Sequence, residues 1–152
     1  MNATPSASQA NSPRGRRADY VRFRSLPTRW MDNDVYGHVN NVVYYSLFDT
    51  AVNAALIEEG LLDPTTSAYI CLVIETGCRY HSAISFPETV EAGIRVARLG
   101  NSSIRYEIGL FRQGEQEAAA DGHFVHVCVD SATRRPTSLP DPLRAYLAAL
   151  VR

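Results

Sequence analysis

The chain has 152 residues, which is enough for one domain with a hydrophobic core and leaves no room for a second domain of ordinary size. Its formal net charge is -1, so composition gives no reason to expect a nucleic-acid-binding protein. No apolar run approaches the roughly 20 residues that a membrane-spanning helix needs, so the sequence predicts a soluble protein.

The first 18 residues are rich in Ser, Ala, Asn, Pro and Arg, and Met1 is their only large apolar residue. This composition predicts a disordered N-terminal tail, followed by one domain over residues 19–152. The segment lacks the apolar stretch of a secretory signal, and it resembles an organelle transit peptide only weakly.

The first regular element is a strand over Tyr20–Trp30, where aromatic and apolar residues alternate with arginines and Pro27 restricts the strand to an edge or an end. A polar turn at Asp32-Asn33-Asp34 follows. Asn40-Asn41 is a good N-terminal cap, and the polar residues of Val42–Glu59 are so few that a nearly surrounded helix is predicted, ending at Gly60.

After the helix, the hydrophobic period changes from about 3.6 to 2. Alternating residues predict strands over Tyr69–Ile84, Val90–Val96, Ile104–Leu110 and about Val125–Val129, with turns at Gly100-Asn101 and at Gln113-Gly114-Glu115. A short helix is expected over Asp141–Val151. One buried helix followed by an antiparallel meander is an α+β arrangement.

The three cysteines, Cys71, Cys78 and Cys128, are odd in number and lack CxxC spacing. They are interpreted as buried reduced thiols rather than as a disulfide or metal framework, which favours a cytoplasmic protein. A metal site at Asp32, Asp34 and His38 is also not expected, because the other histidines lie on distant predicted strands and no further ligand is near.

The segment WMDNDVYGHVNNVVY, from Trp30 to Tyr44, resembles the signature D-x-D-x-x-G-H-V-N-N-x-x-Y, and Phe48-Asp49 supplies a following aromatic-acid pair. This signature belongs to hotdog-fold acyl-CoA thioesterases of the 4-hydroxybenzoyl-CoA thioesterase-like family. The resemblance implies a hotdog fold with a curved sheet of about five strands around the long helix. It also implies a homodimer or homotetramer with composite sites at the interface, and hydrolysis of acyl-CoA without a cofactor.

By this resemblance Asp34 is the catalytic carboxylate, acting as nucleophile or as general base on water. The backbone N–H of Asn41, at the helix start, is the expected oxyanion donor, and Gly37 lets the chain turn tightly beside the substrate. Without the resemblance, Asp32-Asn33-Asp34 would be read as a solvated turn and Asn40-Asn41 as a simple cap.

The sequence supports the other candidate site residues less strongly. His38 has a catalytic, an orienting or a purely structural role, and Tyr36 is expected beside the substrate. Glu75 and Thr76 are candidates for polar groups that reach the thioester from the neighbouring subunit.

Arg98 and Ser103 flank the turn where the family contacts CoA, although Gly100-Asn101 replaces the adjacent arginines that some members carry there. Because the chain contains no lysine, any cationic phosphate contact must come from arginine, with Arg98, Arg105, Arg134 and Arg135 as candidates.

Two other functions fit parts of this pattern. An acyl-carrier-protein thioesterase would share the H-V-N-N core, and a non-catalytic acyl-CoA-binding module would share the fold. A DNA-binding regulator would need an additional domain, for which the 18-residue tail is too short. A purely structural dimer would leave the segment from Asp34 to Asn41 without a purpose.

Overall fold

The computed structural model describes residues 12–152. Its strands are β1 (Arg22–Pro27), β2 (Tyr69–Tyr80), β3 (Thr89–Leu99), β4 (Ser103–Arg112) and β5 (Ala120–Asp130). Its helices are α1 (Asn41–Glu58) and α2 (Asp141–Ala148), and single 3₁₀ turns lie at Arg17–Asp19 and Trp30–Asp32. The predicted elements are confirmed, with shifts of a few residues at their ends.

The five strands form one antiparallel sheet in the order β1-β3-β4-β5-β2. The prediction of a simple meander holds for β3, β4 and β5 but is wrong for β2, which follows the helix yet pairs with β5 at the far edge. The physical reason is that β1 already occupies the free side of β3, so the remaining place for β2 is beside β5. The result is the hotdog arrangement of a curved sheet around one long helix.

Helix α1 packs against one face of the sheet, here called the inner face. The side chain of Asn40 caps the helix by accepting a hydrogen bond from the N–H of Val42 at 3.3 Å. Gly60, with φ of +70°, follows its C-terminus as predicted. The expectation that protein surrounds the helix is wrong for this chain, because Val42 and Ile57 are exposed on the side away from the sheet. A single sheet layer covers only one side of a helix.

The core lies between α1 and the inner face. It is formed by side chains that the helix and the strands contribute at alternate positions, namely Tyr44, Leu47, Phe48, Ala51, Val52, Leu56, Ile94, Val96, Ile104, Tyr106, Ile108, Leu110, Phe124 and Cys128. His126 points into this core and His123 lies on the opposite, outer face, as their odd spacing predicted.

Part of the predicted tail is ordered against the outer face. The N–H of Gly15 donates to the Asp121 carboxylate at 2.8 Å, and the ring of Tyr20 covers Gly93 and Gly109. Burial alone would raise the pKa of Asp121, but hydrogen bonds from Arg79, Gly15 and His81 outweigh it and lower that pKa. The segment around Gly15 therefore contacts the sheet, while the domain boundary at residue 19 stays a prediction and the prediction for residues 1–11 lies outside the described residues.

Within residues 12–152, no helix has the length and hydropathy required to cross a membrane.

Candidate active site

The signature segment forms a short loop between the Trp30–Asp32 turn and α1. Its ends are held together by an antiparallel bridge between Asn33 and Val39, with the Asp34 N–H donating to the His38 carbonyl at 2.9 Å. The segment after β2 fixes the loop from outside. There the Ser85 hydroxyl donates to the Gly37 carbonyl at 2.9 Å, and the Phe86 N–H donates to Asn33 Oδ1 at 3.0 Å.

Asp34 begins the tight turn of this loop. One oxygen of its carboxylate accepts the N–H of Tyr36 at 2.8 Å, and its carbonyl accepts the N–H of Gly37 at 3.1 Å. Gly37 has a φ of +82°, which a residue with a side chain rarely adopts, so glycine is required here for the turn itself. The second oxygen of the Asp34 carboxylate makes no hydrogen bond within the described chain.

Asp32, the first aspartate of the signature, has a different environment. It is 3% exposed, and its carboxylate accepts two hydrogen bonds from the Arg29 guanidinium and one from the Arg29 N–H, at 2.7 to 3.0 Å. Its carbonyl also accepts the N–H of Asn40 at 2.8 Å, just before α1. Asp32 therefore organises the loop, and of the two aspartates only Asp34 has an oxygen available for chemistry.

The helix start supplies one available donor. The N–H of Val42 is capped by the Asn40 side chain, and the N–H of Val43 donates to the Asn40 carbonyl at 2.9 Å. The N–H of Asn41 has no acceptor among residues 12–152, and Asn41 is exposed. Because the first N–H groups of a helix carry partial positive charge, this group can bind a developing oxyanion.

Tyr80 positions this helix start, and the sequence analysis did not identify it. Its hydroxyl donates to the Asn41 carbonyl at 3.0 Å, and its ring packs edge-on against Tyr44 with centroids 4.9 Å apart. Partial burial and the nearby Cys78 thiol raise the pKa of Tyr80, so the hydroxyl keeps its proton and acts as the donor. The only sequence signal was an aromatic residue at the end of a strand, which is not specific.

His38 and Tyr36 both face solvent. The His38 ring makes no hydrogen bond to Asp34 or to any other group in the described part of the chain, and only its backbone carbonyl contacts Asp34. Tyr36 is 82% exposed and its neighbour Val35 is 95% exposed. The side chains of Val35 and Tyr36 are therefore on the surface next to Asp34, and they do not pack beneath its carboxylate.

Glu75 and Thr76 lie on opposite faces of β2. Thr76 is directly across from Phe124 and so shares the inner face, where its hydroxyl donates to the His123 carbonyl at 3.0 Å. Glu75 lies on the outer face and contacts the ring of His123 at 2.9 Å. The structure thus separates these two candidates, and within one chain it brings neither to Asp34 by a direct contact.

Arg98 and Ser103 lie at the far end of β3 from the Asp34 loop. The 11 residues of β3 span about 35 Å at the usual rise of a strand, so a substrate at Asp34 of the same chain is distant from this turn. Four arginines at this end have guanidinium groups without an acceptor or ion-pair partner among the described residues, namely Arg98, Arg105, Arg134 and Arg135. The other arginines hydrogen-bond to carboxylates or to backbone carbonyls, as Arg95 does with Glu107.

A cleft of about 720 Å³ in the described chain does not contain Asp34. It lies on the outer face beneath the N-terminal segment and is lined by charged side chains including Arg79, Arg105, Glu107 and Asp121. The Asp34 loop and the Asn41 N–H stand instead on an open surface. No group of three or more His, Cys, Asp or Glu side chains in residues 12–152 is arranged to hold a metal ion.

Known proteins share the sequence family and the fold of this chain. A family model described as the thioesterase-like superfamily matches residues 28–147. The PA5185 protein of Pseudomonas aeruginosa strain PAO1 has a solved structure with 52% sequence identity and a TM-score of 0.89, covering 91% of this chain and 97% of that chain. The PA2801 protein of the same species, described as a candidate thioesterase, is 32% identical with a TM-score of 0.78, covering 84% of this chain and 98% of that one.

A more distant structure shares the fold. The DHNA-CoA thioesterase of Staphylococcus aureus is 19% identical with a TM-score of 0.72, covering 84% of this chain and 86% of that chain. No curated protein sequence matches the chain.

Proposed function

Because this chain belongs to the thioesterase-like superfamily and is a thioester hydrolase of the hotdog fold, we propose that it hydrolyses an acyl-CoA to a free acid and CoA. In this proposal Asp34 is the catalytic carboxylate and the N–H of Asn41 is the oxyanion donor. The observation that carries it is the combination of an uncapped, exposed N–H at the start of α1 with a carboxylate oxygen that has no protein partner in the adjoining turn.

The thioester carbonyl would lie with its oxygen against the Asn41 N–H. In the general-base route, Asp34 takes a proton from water as the water oxygen bonds to the carbonyl carbon, and it returns that proton to the sulfur when the C–S bond breaks. In the nucleophilic route, an Asp34 oxygen bonds to the carbonyl carbon and the C–S bond breaks, so that CoA leaves as the thiolate. Water then cleaves the resulting anhydride to the free acid and the Asp34 carboxylate, and a proton from that water converts the CoA thiolate to the thiol. In both routes the negative charge develops on the oxygen that faces the helix start.

We also propose that the active protein is a homodimer or a homotetramer. Strand β2 is a 12-residue edge strand with one hydrogen-bonded neighbour, and its central apolar side chains are exposed, with Ile74 at 62%. A long, apolar, unpaired edge is a surface that proteins normally cover. Two copies related by a two-fold axis can cover it by pairing their β2 strands antiparallel.

This pairing would make the site composite. In an antiparallel β2 pair, the Tyr80 end of one strand lies beside the Tyr69 end of the other, and the Tyr69 end is next to Asp130 and the loop that carries Arg134 and Arg135. The unpaired arginines of one subunit would then approach the Asp34 site of the other. Their free guanidinium groups fit the 3'-phosphate and pyrophosphate of CoA.

A cytoplasmic location is part of the proposal, since acyl-CoA hydrolysis and three cysteines present as thiols both fit that compartment.

The decisive experiment removes the proposed oxyanion donor without removing the helix. Proline is well tolerated at the first position of a helix, and Asn40 already has the extended conformation (φ -60°, ψ 139°) that a following proline requires. Asn41→Pro therefore deletes the N–H, and we expect kcat for thiol release from acyl-CoA to fall by about 10²- to 10³-fold. Asn41→Ala, which keeps the N–H and loses only the side chain, is the matched control and should lose far less.

The same assay tests the carboxylate. Asp34→Asn should lower the hydrolysis rate by roughly 100-fold or more with an unchanged unfolding midpoint. Asp141→Asn makes the same chemical change at an exposed position of α2, and it should leave the hydrolysis rate unchanged. Near-normal turnover by Asp34→Asn would refute the assignment. A panel of short, medium, long and aromatic acyl-CoAs, and the matching acyl-carrier-protein thioesters, would identify the substrate and distinguish the two carriers.

A further inference from the structure

Two of the three cysteines meet across the β2–β5 pair. Cys71 and Cys128 are directly opposite each other in the register, and their sulfur atoms are 2.7 Å apart. A disulfide bond has a length of about 2.05 Å, so the two sulfur atoms stand only about 0.7 Å beyond bonding distance. Cys128 is fully buried, and Cys71 is partly exposed.

The backbone geometry at this position suits a cross-strand disulfide. The N–H of Cys128 donates to the Ser102 carbonyl at 2.8 Å, and its carbonyl accepts the N–H of Thr137 at 3.0 Å. Both groups therefore point away from β2, so Cys71 and Cys128 form a non-hydrogen-bonded pair. In such pairs the Cα atoms are about 4.5 Å apart and the side chains are close, which falls within the range that disulfides span.

We propose that Cys71 and Cys128 form an oxidative modification site, a dithiol that closes to an intramolecular disulfide. The bond would join the edge strand β2 to β5 beside the bulge between Val73 and Glu75, where the strand pairing is irregular. Because β2 is an edge strand that is hydrogen-bonded on one side only, a covalent link at this point restrains its pairing with β5.

The reaction balances with a small disulfide, such as glutathione disulfide, as the oxidant. The Cys71 sulfur, which is the more exposed, attacks one glutathione sulfur, and the other glutathione leaves as a thiol. The Cys128 sulfur then attacks Cys71 Sγ in the mixed disulfide, and the second glutathione leaves. The two protein thiols lose two electrons and two protons, and one glutathione disulfide becomes two glutathione thiols.

The contact between the two sulfur atoms favours the second step. In the reduced protein, the hydrogen bond from the Cys71 thiol lowers the pKa of Cys128 and raises that of Cys71, and this bond is lost once Cys71 carries glutathione. The geometry is what favours the second step, because Cys128 Sγ lies 2.7 Å from the sulfur that it attacks.

Cys78 provides a matched control on the same strand. Its thiol donates to the Arg79 carbonyl at 3.7 Å, it has no sulfur partner in the described chain, and burial raises its pKa to about 11. It lies at the Tyr80 end of β2, whereas Cys71 lies at the other end. Within one chain, the dithiol is therefore separate from the proposed catalytic residues.

The test counts thiols in the folded full-length protein. Wild type, Cys78→Ser, Cys71→Ser and Cys128→Ser are incubated with excess glutathione disulfide, alkylated in denaturant, and analysed by intact mass and peptide mapping. We expect free thiols to fall from three to one in the wild type and from two to none in Cys78→Ser, with a Cys71–Cys128 peptide and loss of two hydrogens. Neither of the other variants should form an intramolecular bond.

A second readout is thermal stability. The bond would close a long loop, since its cysteines are 57 positions apart, so oxidised Cys78→Ser should melt about 5 to 10 °C higher than its reduced form and lose that gain with dithiothreitol. The proposal is overturned if Cys78→Ser keeps two free thiols, if it stops at a glutathione adduct, or if only bonds between chains form. None of these readouts depends on turnover, so they remain decisive even if the proposed substrate is wrong.

Discussion

Acidification is expected to destabilise this protein through one buried histidine, His126. Its side chain is 1% exposed, and neither ring nitrogen has a hydrogen-bond partner among residues 12–152. The ring lies between those of Tyr106 and Phe124, with centroids 5.7 and 4.8 Å away. Burial with no compensating partner lowers the pKa of His126 from 6.5 to about 4, so the folded protein keeps this ring neutral.

The size of the effect follows from the two pKa values. The unfolded chain binds a proton at His126 below about pH 6.5, and the folded protein does so only below about pH 4, so protons favour the unfolded state between these limits. The free energy of unfolding is therefore highest above pH 6.5 and falls as the pH drops through this window. Between about pH 7.5 and pH 5 this one group removes roughly 2 kcal/mol.

Urea unfolding of the wild type and of His126→Leu at about pH 7.5 and at about pH 5 measures this contribution to the free energy of unfolding. Leucine has a similar volume and cannot be protonated, so the variant should lose about 2 kcal/mol less than the wild type over the same pH change. His38→Gln, at an exposed position whose ring has no hydrogen-bond partner among residues 12–152, should behave as the wild type does. An equal loss in the wild type and in His126→Leu would refute the reasoning.

Three further predictions concern the site, the sheet and the assembly. Tyr80→Phe removes the hydrogen bond to the Asn41 carbonyl, so kcat should fall about fivefold with KM and the urea midpoint nearly unchanged. Gly122→Ala should cost about 3 kcal/mol by urea unfolding, because a Cβ there would overlap the Gly77 carbonyl, whereas Gly77→Ala meets only a movable imidazole ring and should cost less. Ile74→Lys should yield monomers by sedimentation velocity, and a monomeric wild type would contradict the proposed β2 interface.

The local elements were predictable because their signals are local. Asn40 and Gly60 mark the ends of α1 by capping chemistry that depends on a few neighbouring residues. Alternation over Ile104–Leu110 predicts a strand with one buried face, and the structure buries those residues on the inner face. Strand order was not predictable in this way, because whether β2 lies beside β3 or β5 depends on where β1 has paired, and β1 is remote in sequence.

The same division applies to the candidate site. The signature brought Asp34 and the start of α1 to attention together, since both lie within one short segment. The signature gave no physical reason why the Asp34 carboxylate, and not that of Asp32, should have an available oxygen. That distinction comes from the hydrogen bonds between Arg29 and the buried Asp32 carboxylate, which leave only Asp34 with an available oxygen.

The sequence by itself determined the type of each element, the position of the proposed catalytic segment and the family that the segment resembles, because propensity, periodicity and capping act over a few residues. Tertiary structure alone decided that Tyr80 holds the helix start, that Glu75 and Thr76 lie on opposite faces, and that Cys71 meets Cys128. These contacts join residues from about 40 to about 60 positions apart, and their geometry is set by strand register, which depends on the packing of the whole sheet.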